Sequence, residues 1–301
     1  MGTRGGGAGA PAALISRAVS TPMPADGWVE VNGLRLHYLD WGGGTGLPPV
    51  LFLHGGSAHA HWWDFTIPYL RDRFRCVALD LRGHGGSDRS AGGDYGLAAH
   101  AGDVAAVVEA LGLAGGGVVG HSFGGWVAMI YAGRAGAAVG ALAILDSRPT
   151  IGVRSARMLE ALRKLPHTRY ATHAEAITRF RLLPAATSAD AAVVAHVATH
   201  GIVRDADGTY LPRFDRRALA GAGAQDLTPH LRAARCPILA VRAAHSEIVD
   251  AAALTAFRTA VPSVELAEIA DAHHHLMLDQ PAAVAAVVGD FLARHLGAAS
   301  A

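Results

Sequence analysis

The chain has 301 residues, of which 51% are hydrophobic and 17% are charged, and its formal net charge is +1. This composition is typical of a globular protein with a sizeable core, and it excludes a chain that is disordered throughout. A net charge so close to zero provides no electrostatic basis for binding nucleic acid or an anionic membrane surface. The two cysteines, Cys76 and Cys236, adjoin apolar runs, which predicts buried free thiols and no disulfide framework.

Residues 1–25 are rich in glycine, alanine and proline, and we expect them to form a flexible leader. The apolar stretch at 12–15 is too short for the hydrophobic region of a signal peptide. No apolar run in the sequence reaches the length of a transmembrane helix. These features predict a cytoplasmic protein with no membrane partner.

The next part of the chain predicts a hairpin followed by buried strands. Residues 28–31 and 34–39 alternate in polarity around Asn32-Gly33, a dipeptide that favours a two-residue hairpin turn. Continuous apolar runs are typical of strands buried on both faces of a parallel sheet, and they occur at 49–53, 75–80 and 140–146. Helical patterns lie between them at 62–70, which has an aromatic face, and at 97–111. The alternation predicts βαβ units and a mostly parallel sheet.

The composition changes after Asp146, and no clear buried strand occurs in residues 150–231. This region has helical patches at 156–165 and 174–183 and a small hairpin pattern at 202–214, so we expect an inserted cap. The α/β pattern then resumes with strands at 236–241 and 264–269 and helices at 251–260 and 281–296. The predicted organisation is therefore a core of residues 26–149 and 232–301, interrupted by the cap.

One stretch in the core carries a chemical signature, the G-x-S-x-G motif formed by Gly120, Ser122 and Gly124. A glycine-rich turn and an apolar strand precede it, and an apolar helical run follows it, which is the context of a nucleophile elbow. The tight turn requires small residues two positions either side of the serine. The backbone N–H of Phe123 then lies at the positive start of a helix, where it favours developing negative charge.

With this motif, three further features resemble the α/β-hydrolase superfamily along nearly the whole chain after the leader. They are His54-Gly55-Gly56 after a buried strand, the loop at 80–87 with Asp80 and Arg82, and a late histidine loop at 270–281. The resemblance implies an α/β-hydrolase fold, with a mostly parallel central sheet flanked by helices and a helical cap insertion.

The resemblance also implies roles for a nucleophile and a base. Ser122 matches the family's nucleophile, and the position of Pro281 in the late loop places the family's histidine at His274. His273 and His275 occupy the flanking positions. Three consecutive histidines on a regular backbone cannot all converge on one ion, so we expect no metal site in this loop.

The acid of a catalytic triad has two candidates in this sequence. The family's usual aspartate position, after the strand at 236–241, is occupied by Ser246, and Glu247 lies one place later. Asp146, at the end of an earlier core strand, matches the known alternative site in the superfamily. We therefore favour Asp146, with Glu247 as the alternative and with a merely structural strand-ending aspartate as the competing interpretation.

The resemblance further implies an oxyanion hole formed by the backbone N–H groups of Phe123 and Gly56. His54 is expected to brace this loop, and Asp80 and Arg82 to fix the loop that follows the fourth strand.

The expected function is that of a serine hydrolase acting on a small-molecule carboxylic ester or lactone, without a metal or organic cofactor. Serine at the elbow argues against the epoxide hydrolases and haloalkane dehalogenases of the superfamily, which use aspartate there. Hydrolysis of C–C bonds and acyl transfer remain alternatives on the same fold. A ligand-binding receptor that retains the triad is an alternative from a different class of protein.

Overall fold

A computed structural model describes residues 23–44 and 46–297. The twelve strands of these ranges are β1 (Ala25–Val31), β2 (Leu34–Asp40), β3 (Pro49–Leu53), β4 (Arg75–Leu79), β5 (Gly117–His121), β6 (Ala141–Leu145), β7 (Thr150–Ile151), β8 (Ile202–Arg204), β9 (Tyr210–Pro212), β10 (Gln225–Asp226), β11 (Ile238–Ala243) and β12 (Glu265–Ile269). The α-helices are α1 (Leu97–Ala110), α2 (Phe123–Ala135), α3 (Val153–Lys164), α4 (His173–Arg179), α5 (Ala191–His200), α6 (Thr228–Ala233), α7 (Ala251–Ala260), α8 (Leu276–Asp279) and α9 (Pro281–Leu296). Short 3₁₀ helices occupy Ala60–Trp63, Ile67–Tyr69, Gly136–Ala138 and Arg216–Ala222. Among the described residues, no helix is both long and apolar enough to cross a bilayer.

Eight strands form the main sheet, in the order β1-β2-β4-β3-β5-β6-β11-β12. The pairs β1–β2 and β2–β4 are antiparallel, whereas all the later pairs are parallel. The prediction of a mostly parallel sheet flanked by helices is confirmed. The carboxyl ends of β3, β5, β6 and β11 consequently meet at one edge, which is where such sheets carry ligand sites.

The apolar runs fold as buried strands because each face of the sheet is covered by a separate core. Along β3, Val50 and Phe52 pack into one core, whereas Leu51 and Leu53 pack into the other. All four of these side chains are at most 1% exposed. A strand whose two faces are both buried has no position for a polar side chain, which explains the unbroken apolar run.

The predicted hairpin turn is also confirmed. Asn32 and Gly33 have φ values of 50° and 73°, as a type I′ turn requires, and they place Val31 opposite Leu34.

The helix predicted at 62–70 is wrong, since this segment contains the two 3₁₀ helices Ala60–Trp63 and Ile67–Tyr69. The Ala60 N–H donates to Asp80 Oδ1 at 2.7 Å, so the start of the segment is bound to a neighbouring loop. Pro68 has no N–H to donate to an α-helical ladder. The predicted aromatic face is nevertheless inside, because Trp63 is fully buried.

Residues 150–231, which we call the cap segment, contain α3, α4, α5 and the small sheets. The predicted hairpin at 202–214 is confirmed as the antiparallel pair β8–β9. Helix α5 was not predicted from the sequence. No strand of this segment joins the main sheet of the described residues. At its base, β7 pairs with β10, so the segment leaves and rejoins the core at one place.

Two smaller expectations concern the leader and the cysteines. Residues 1–22 of the predicted leader lie outside the described residues, and β1 begins at Ala25. Both cysteines are free, but only Cys76 is buried; Cys236 is half-buried because it precedes β11 at the rim of the sheet.

Candidate active site

Ser122 lies at the turn between β5 and α2, in a strained backbone conformation. Its φ is 51°, a left-handed value that side-chain-bearing residues rarely adopt. A Cβ atom at Gly120 would lie 2.5 Å from the Gly124 carbonyl oxygen, and one at Gly124 would lie 2.5 Å from the Leu53 carbonyl oxygen. The two glycines of the motif are therefore required for the close approach of the turn to its own helix and to β3.

A chain of hydrogen bonds extends from Ser122 into the protein. The Ser122 Oγ and His274 Nε2 atoms are 3.0 Å apart, and His274 Nδ1 is 2.7 Å from Asp146 Oδ2. Because a carboxylate can only accept, the Nδ1–H of His274 donates to Asp146, which leaves Nε2 free to accept from the serine hydroxyl. The structure therefore brings together three of the residues that the sequence predicted, in the order that nucleophilic catalysis requires.

Asp146 is completely buried, and three donors surround its carboxylate. Besides His274, the Ala243 N–H donates to Oδ1 at 3.0 Å and the Ser246 hydroxyl donates to Oδ2 at 2.7 Å. Ser246 thus occupies the family's usual acid position and hydrogen-bonds the carboxylate that comes from β6. Glu247 points elsewhere: it is exposed, and its side chain makes no hydrogen bond within the described residues.

Two further histidines, His121 and His275, pack against the ring of His274. The Nε2–H of His121 donates to the His274 carbonyl oxygen at 2.9 Å, and that of His275 donates to the Pro184 carbonyl oxygen at 2.9 Å. Burial holds the pKa of His121 well below its usual value and lowers that of His275 to about 3, so both rings are neutral at pH 7. Sequence reasoning missed the hydrogen bond from His121 to the backbone of His274, because the motif allows any residue at position 121.

The two predicted oxyanion donors face each other across the turn. A Cβ atom at Gly56 would lie 3.8 Å from the Phe123 Cβ, so the two backbones are in van der Waals proximity. Within the part of the chain that the structure describes, neither the Gly56 N–H nor the Phe123 N–H has a hydrogen-bond partner. Two adjacent unpaired N–H groups beside Ser122 form a site that can accept a negatively charged oxygen.

The loop that carries Gly56 is braced by His54, as the sequence predicted. His54 Nδ1–H donates to the Gly55 carbonyl oxygen at 2.7 Å, while Nε2 accepts from the Leu81 N–H at 3.0 Å. Burial lowers the pKa of His54, which keeps this ring neutral and able to make both bonds. A second ring, His84, accepts from the Ser57 N–H at 3.2 Å, a contact that no motif in the sequence indicated.

Asp80 and Arg82 fix the loop after β4. Asp80 Oδ2 accepts from His37 Nδ1 at 2.7 Å and from the Gly86 N–H at 2.8 Å. Burial by itself raises the pKa of Asp80, but the hydrogen bond from His37 and the neighbouring histidines together lower it by more, so the pKa lies well below the usual range. Arg82 makes two hydrogen bonds of 2.6 Å to the buried carboxylate of Asp103.

The model of the alpha/beta hydrolase fold family matches residues 48–281, which include Ser122, His274 and Asp146. The chain belongs to the α/β-hydrolase family. The resemblance inferred from the motifs is thereby confirmed, and the family's members are so diverse that the activity must be argued from the site itself.

Among curated relatives, this α/β hydrolase is 40% identical over 126 residues to a non-heme chloroperoxidase of Streptomyces lividans, covering 41% of the chain and 45% of the relative. It is 35% identical over 116 residues to epoxide hydrolase 1 of Caenorhabditis elegans, covering 37% of the chain and 28% of the relative. The aligned part spans less than half the length of these relatives.

Solved structures extend the similarity over most of the hydrolase. An E-2-(acetamidomethylene)succinate hydrolase superposes with a TM-score of 0.80 at 25% identity, covering 89% of this chain and 98% of that one. A novel esterase from Mycobacterium tuberculosis superposes with a TM-score of 0.72 at 25% identity, covering 95% of this chain and 98% of that one.

In this α/β hydrolase a cavity of about 200 Å³ lies between the cap segment and the loop of Gly56. Ser57, the neighbour of Gly56, forms part of its wall, and so does Leu219, whose side chain lies over Gly56. The apolar lining from the cap segment includes Phe180, Leu182 and Phe214. Three cationic side chains, Arg179, Arg181 and Arg216, also border the cavity.

Proposed function

We propose that this protein is a serine hydrolase that cleaves a small-molecule carboxylic ester or lactone through Ser122, His274 and Asp146. The observation that carries the proposal is the hydrogen-bonded chain from the Ser122 hydroxyl through the His274 ring to the fully buried Asp146 carboxylate. A free serine hydroxyl is a poor nucleophile and needs such a positioned base.

In the acylation step, Ser122 Oγ attacks the carbonyl carbon of the ester while its proton passes to His274 Nε2. The carbonyl oxygen becomes an oxyanion and accepts hydrogen bonds from the N–H groups of Gly56 and Phe123. Asp146 stabilises the imidazolium and holds its Nδ1–H in place. The tetrahedral intermediate collapses when the C–O bond breaks and His274 donates its proton to the leaving alcohol.

Deacylation repeats these steps with water as the nucleophile. His274 removes a proton from water, the resulting hydroxide attacks the acyl carbon, and the oxyanion again lies against Gly56 and Phe123. Breakage of the bond to Ser122 Oγ releases the carboxylic acid and returns the proton to the serine. No metal or organic cofactor enters this sequence of proton transfers.

The surroundings of the site support an ester or lactone with an apolar acyl or alcohol portion. Phe180, Leu182, Phe214 and Leu219 present apolar surface to the cavity beside Ser57. The similarity to a solved esterase supports the same class, and Ser122 stands where aspartate-dependent members of the superfamily have their nucleophile. We further propose that the cap segment acts as a separate insertion that selects substrate, and that the enzyme is cytoplasmic, as its two free cysteines suggest.

The proposal is tested by turnover of a panel of p-nitrophenyl esters and lactones, together with labelling by a fluorophosphonate. We expect multiple turnovers and a label on Ser122, both abolished in Ser122→Ala. Ser57→Ala is the matched control, because Ser57 borders the same cavity but donates only to the Gly56 carbonyl oxygen. Labelling or turnover that persists in Ser122→Ala would exclude Ser122 as the nucleophile.

The same panel separates the alternatives. A ligand-binding receptor would release at most one product equivalent per chain. An acyltransferase would form a new ester in preference to the free acid when an alcohol acceptor is added. A C–C bond hydrolase would leave the esters intact and cleave a diketone.

A further inference from the structure

A second cluster of polar side chains lies away from Ser122, where the cap segment meets the core. His61 belongs to the 3₁₀ helix Ala60–Trp63, and Asp64 follows that helix directly. His196 and His200 are one turn apart on α5 and face the same direction. One ligand atom from each of the four residues lies within 4.8 Å of the other three.

The cluster converges on a single carboxylate. Asp64 Oδ2 is 2.9 Å from His61 Nδ1 and 2.7 Å from His196 Nε2, although the Asp64 side chain is only 5% exposed. The other oxygen, Oδ1, is buried and accepts no hydrogen bond within the described residues. An unused acceptor on a buried carboxylate is costly unless another group satisfies it.

His200 completes the arrangement without a hydrogen bond of its own in the described part of the chain. Its ring stacks on that of His61, with centroids 3.6 Å apart and planes inclined by 21°, and it lies 4.8 Å from the ring of His196. The cluster therefore holds three imidazoles around one carboxylate, more donor and acceptor atoms than their mutual hydrogen bonds use.

We propose that His61, Asp64, His196 and His200 form a site for a divalent transition-metal ion, with Zn²⁺ as the best fit. Zinc is bound by nitrogen and carboxylate ligands in tetrahedral geometry, with bonds of about 2.0–2.2 Å, which places ligand atoms about 3.3 Å apart. The separations here, from 2.7 Å to at most 4.8 Å, bracket that value.

Four protein ligands leave no open coordination position, so the site is structural and not catalytic. The ion would join α5 of the cap segment to the 3₁₀ helix that follows the Gly56 loop. The two elements are already in contact here, because His59 Nε2–H donates to the Val197 carbonyl oxygen at 2.9 Å. Metal binding would therefore fix the position of the cap segment relative to the loop that carries Gly56.

The test uses the full chain, freed of metal by a chelator and then titrated with Zn²⁺ alone. We expect one retained equivalent per chain by elemental analysis after dialysis, and a melting temperature that rises with Zn²⁺. His200→Gln removes a ligand that makes no hydrogen bond in the structure, so it should fold normally yet bind Zn²⁺ at least about tenfold more weakly. His196→Gln should show the same loss, which covers the case in which one variant misfolds.

His173→Gln is the matched control, since His173 lies on another helix of the cap segment and outside the cluster. It should bind Zn²⁺ like the parent protein. His274→Gln serves as a second control, because His121, His274 and His275 form another group of neighbouring ligand atoms. Equal binding by the parent and by His200→Gln, loss of binding only in His274→Gln, or no retained Zn²⁺ in the parent would each overturn the proposal. These readouts do not depend on esterase activity.

Discussion

The core and the cap segment differ in how they hold their carboxylates, and Asp215 is the one carboxylate in the described part of the cap segment that is buried. In the core, Asp80, Asp103 and Asp146 are at most 2% exposed, and each carboxylate accepts at least two hydrogen bonds. In the cap segment, helix α3 has no buried residue, and ion pairs such as Arg169–Asp207 lie at the surface. Buried, fully paired groups keep one geometry, whereas exposed pairs contribute little. The core therefore holds its carboxylates in one fixed geometry, as the proposed catalytic role of Asp146 requires.

The largest effect is expected at the buried acid. Asp146→Asn preserves size but removes the charge that orients and stabilises the His274 ring. In the trypsin-type triad, the same change costs about 10⁴-fold in kcat, and we expect a loss of that order here. Glu247→Gln should stay within about tenfold of the parent, a difference of about 1.4 kcal/mol in barrier.

The measurement is kcat on one activated ester, with melting temperatures recorded in parallel. Asp146→Asn should also lower the melting temperature, because its amide group faces donors that the buried carboxylate accepts from, and the parallel record shows that the variant is folded at the assay temperature. If Glu247→Gln loses most of its kcat and Asp146→Asn keeps nearly all of it, the acid comes from the family's usual loop. If neither variant loses kcat, the kcat of the double variant decides whether one carboxylate replaces the other.

The second largest effect is expected at Asp80, compared with Asp207 in the cap segment. Asp80→Asn leaves the buried partners of a charged group unpaired, which costs about 3–5 kcal/mol in the free energy of unfolding. Asp207→Asn should be indistinguishable from the parent in urea unfolding at pH 7, because its Arg169 partner is exposed.

This contrast has a definite pH dependence. The pKa of Asp80 in the folded protein lies well below the unfolded value of 3.8. Burial raises this pKa, but the hydrogen bond from His37 and the neighbouring histidines together lower it by more. The Asp80 carboxylate therefore stabilises the fold above about pH 4, and this contribution is lost as the pH falls further. The gap in stability between the parent and Asp80→Asn should therefore narrow when unfolding is repeated at about pH 3, and it should close only below the folded-state pKa. A constant gap between them would mean that the charge of Asp80 plays no part.

The third largest effect, on both stability and activity, is expected at Gly124, where the backbone of the elbow packs closely against its neighbours. A side chain at Gly124 would meet the carbonyl oxygens of Leu53 and His54 at 2.5 Å, so Gly124→Val should cost about 1–3 kcal/mol or more in stability and most of the activity. Gly102→Ala is the matched control, since a Cβ there meets nothing within 4 Å on an exposed helix face. It should stabilise the protein by up to about 1 kcal/mol. Full activity in Gly124→Val would contradict the packing described here.

The smallest effect is expected in the cap segment. Phe180 lines the cavity and is half-buried, so Phe180→Ala should enlarge the cavity and leave the triad unchanged. Preference for longer acyl chains, measured as a ratio of kcat/KM values, should shift by about tenfold. Leu165→Ala, an exposed residue of the same segment outside the cavity, should not shift it. An unchanged ratio in Phe180→Ala would show that the cavity does not receive the acyl chain.

The sequence predicts the core well because the core follows local rules. Helix α9 begins at Pro281 and ends at Leu296, the predicted bounds, and Asn32-Gly33 forms the predicted turn. Ser122 was named from the elbow motif, and His274 and Asp146 from the resemblance to the superfamily. The structure places the three within hydrogen-bonding distance. Whether they act as a triad stays a prediction for the variants above.

Other features depend on contacts between distant segments, and these left no signal in the sequence. The aromatic spacing of the segment at 62–70 predicts an α-helix, but the Asp80 carboxylate from another loop binds the N–H of Ala60 just before it. Helix α5 was not predicted, because residues 191–200 are apolar on most sides and follow a stretch without periodicity. The cluster of His61, Asp64, His196 and His200 joins two segments more than 130 positions apart, a spacing that matches no local metal motif.

The short ladder at the base of the cap segment has a consequence for how such enzymes diversify. Strands β7 and β10 pair there, and the Leu227 N–H donates to the Pro149 carbonyl oxygen at 2.9 Å. The two ends of the cap segment therefore lie side by side. The length of the chain between them has only a weak influence on the entropy cost of bringing those ends together. A different inserted segment can replace the cap segment, provided that its two ends pair as β7 and β10 do. The elbow and the buried acid then keep their positions. Substrate preference can then change by exchange of one contiguous stretch of gene, without any substitution in the catalytic machinery.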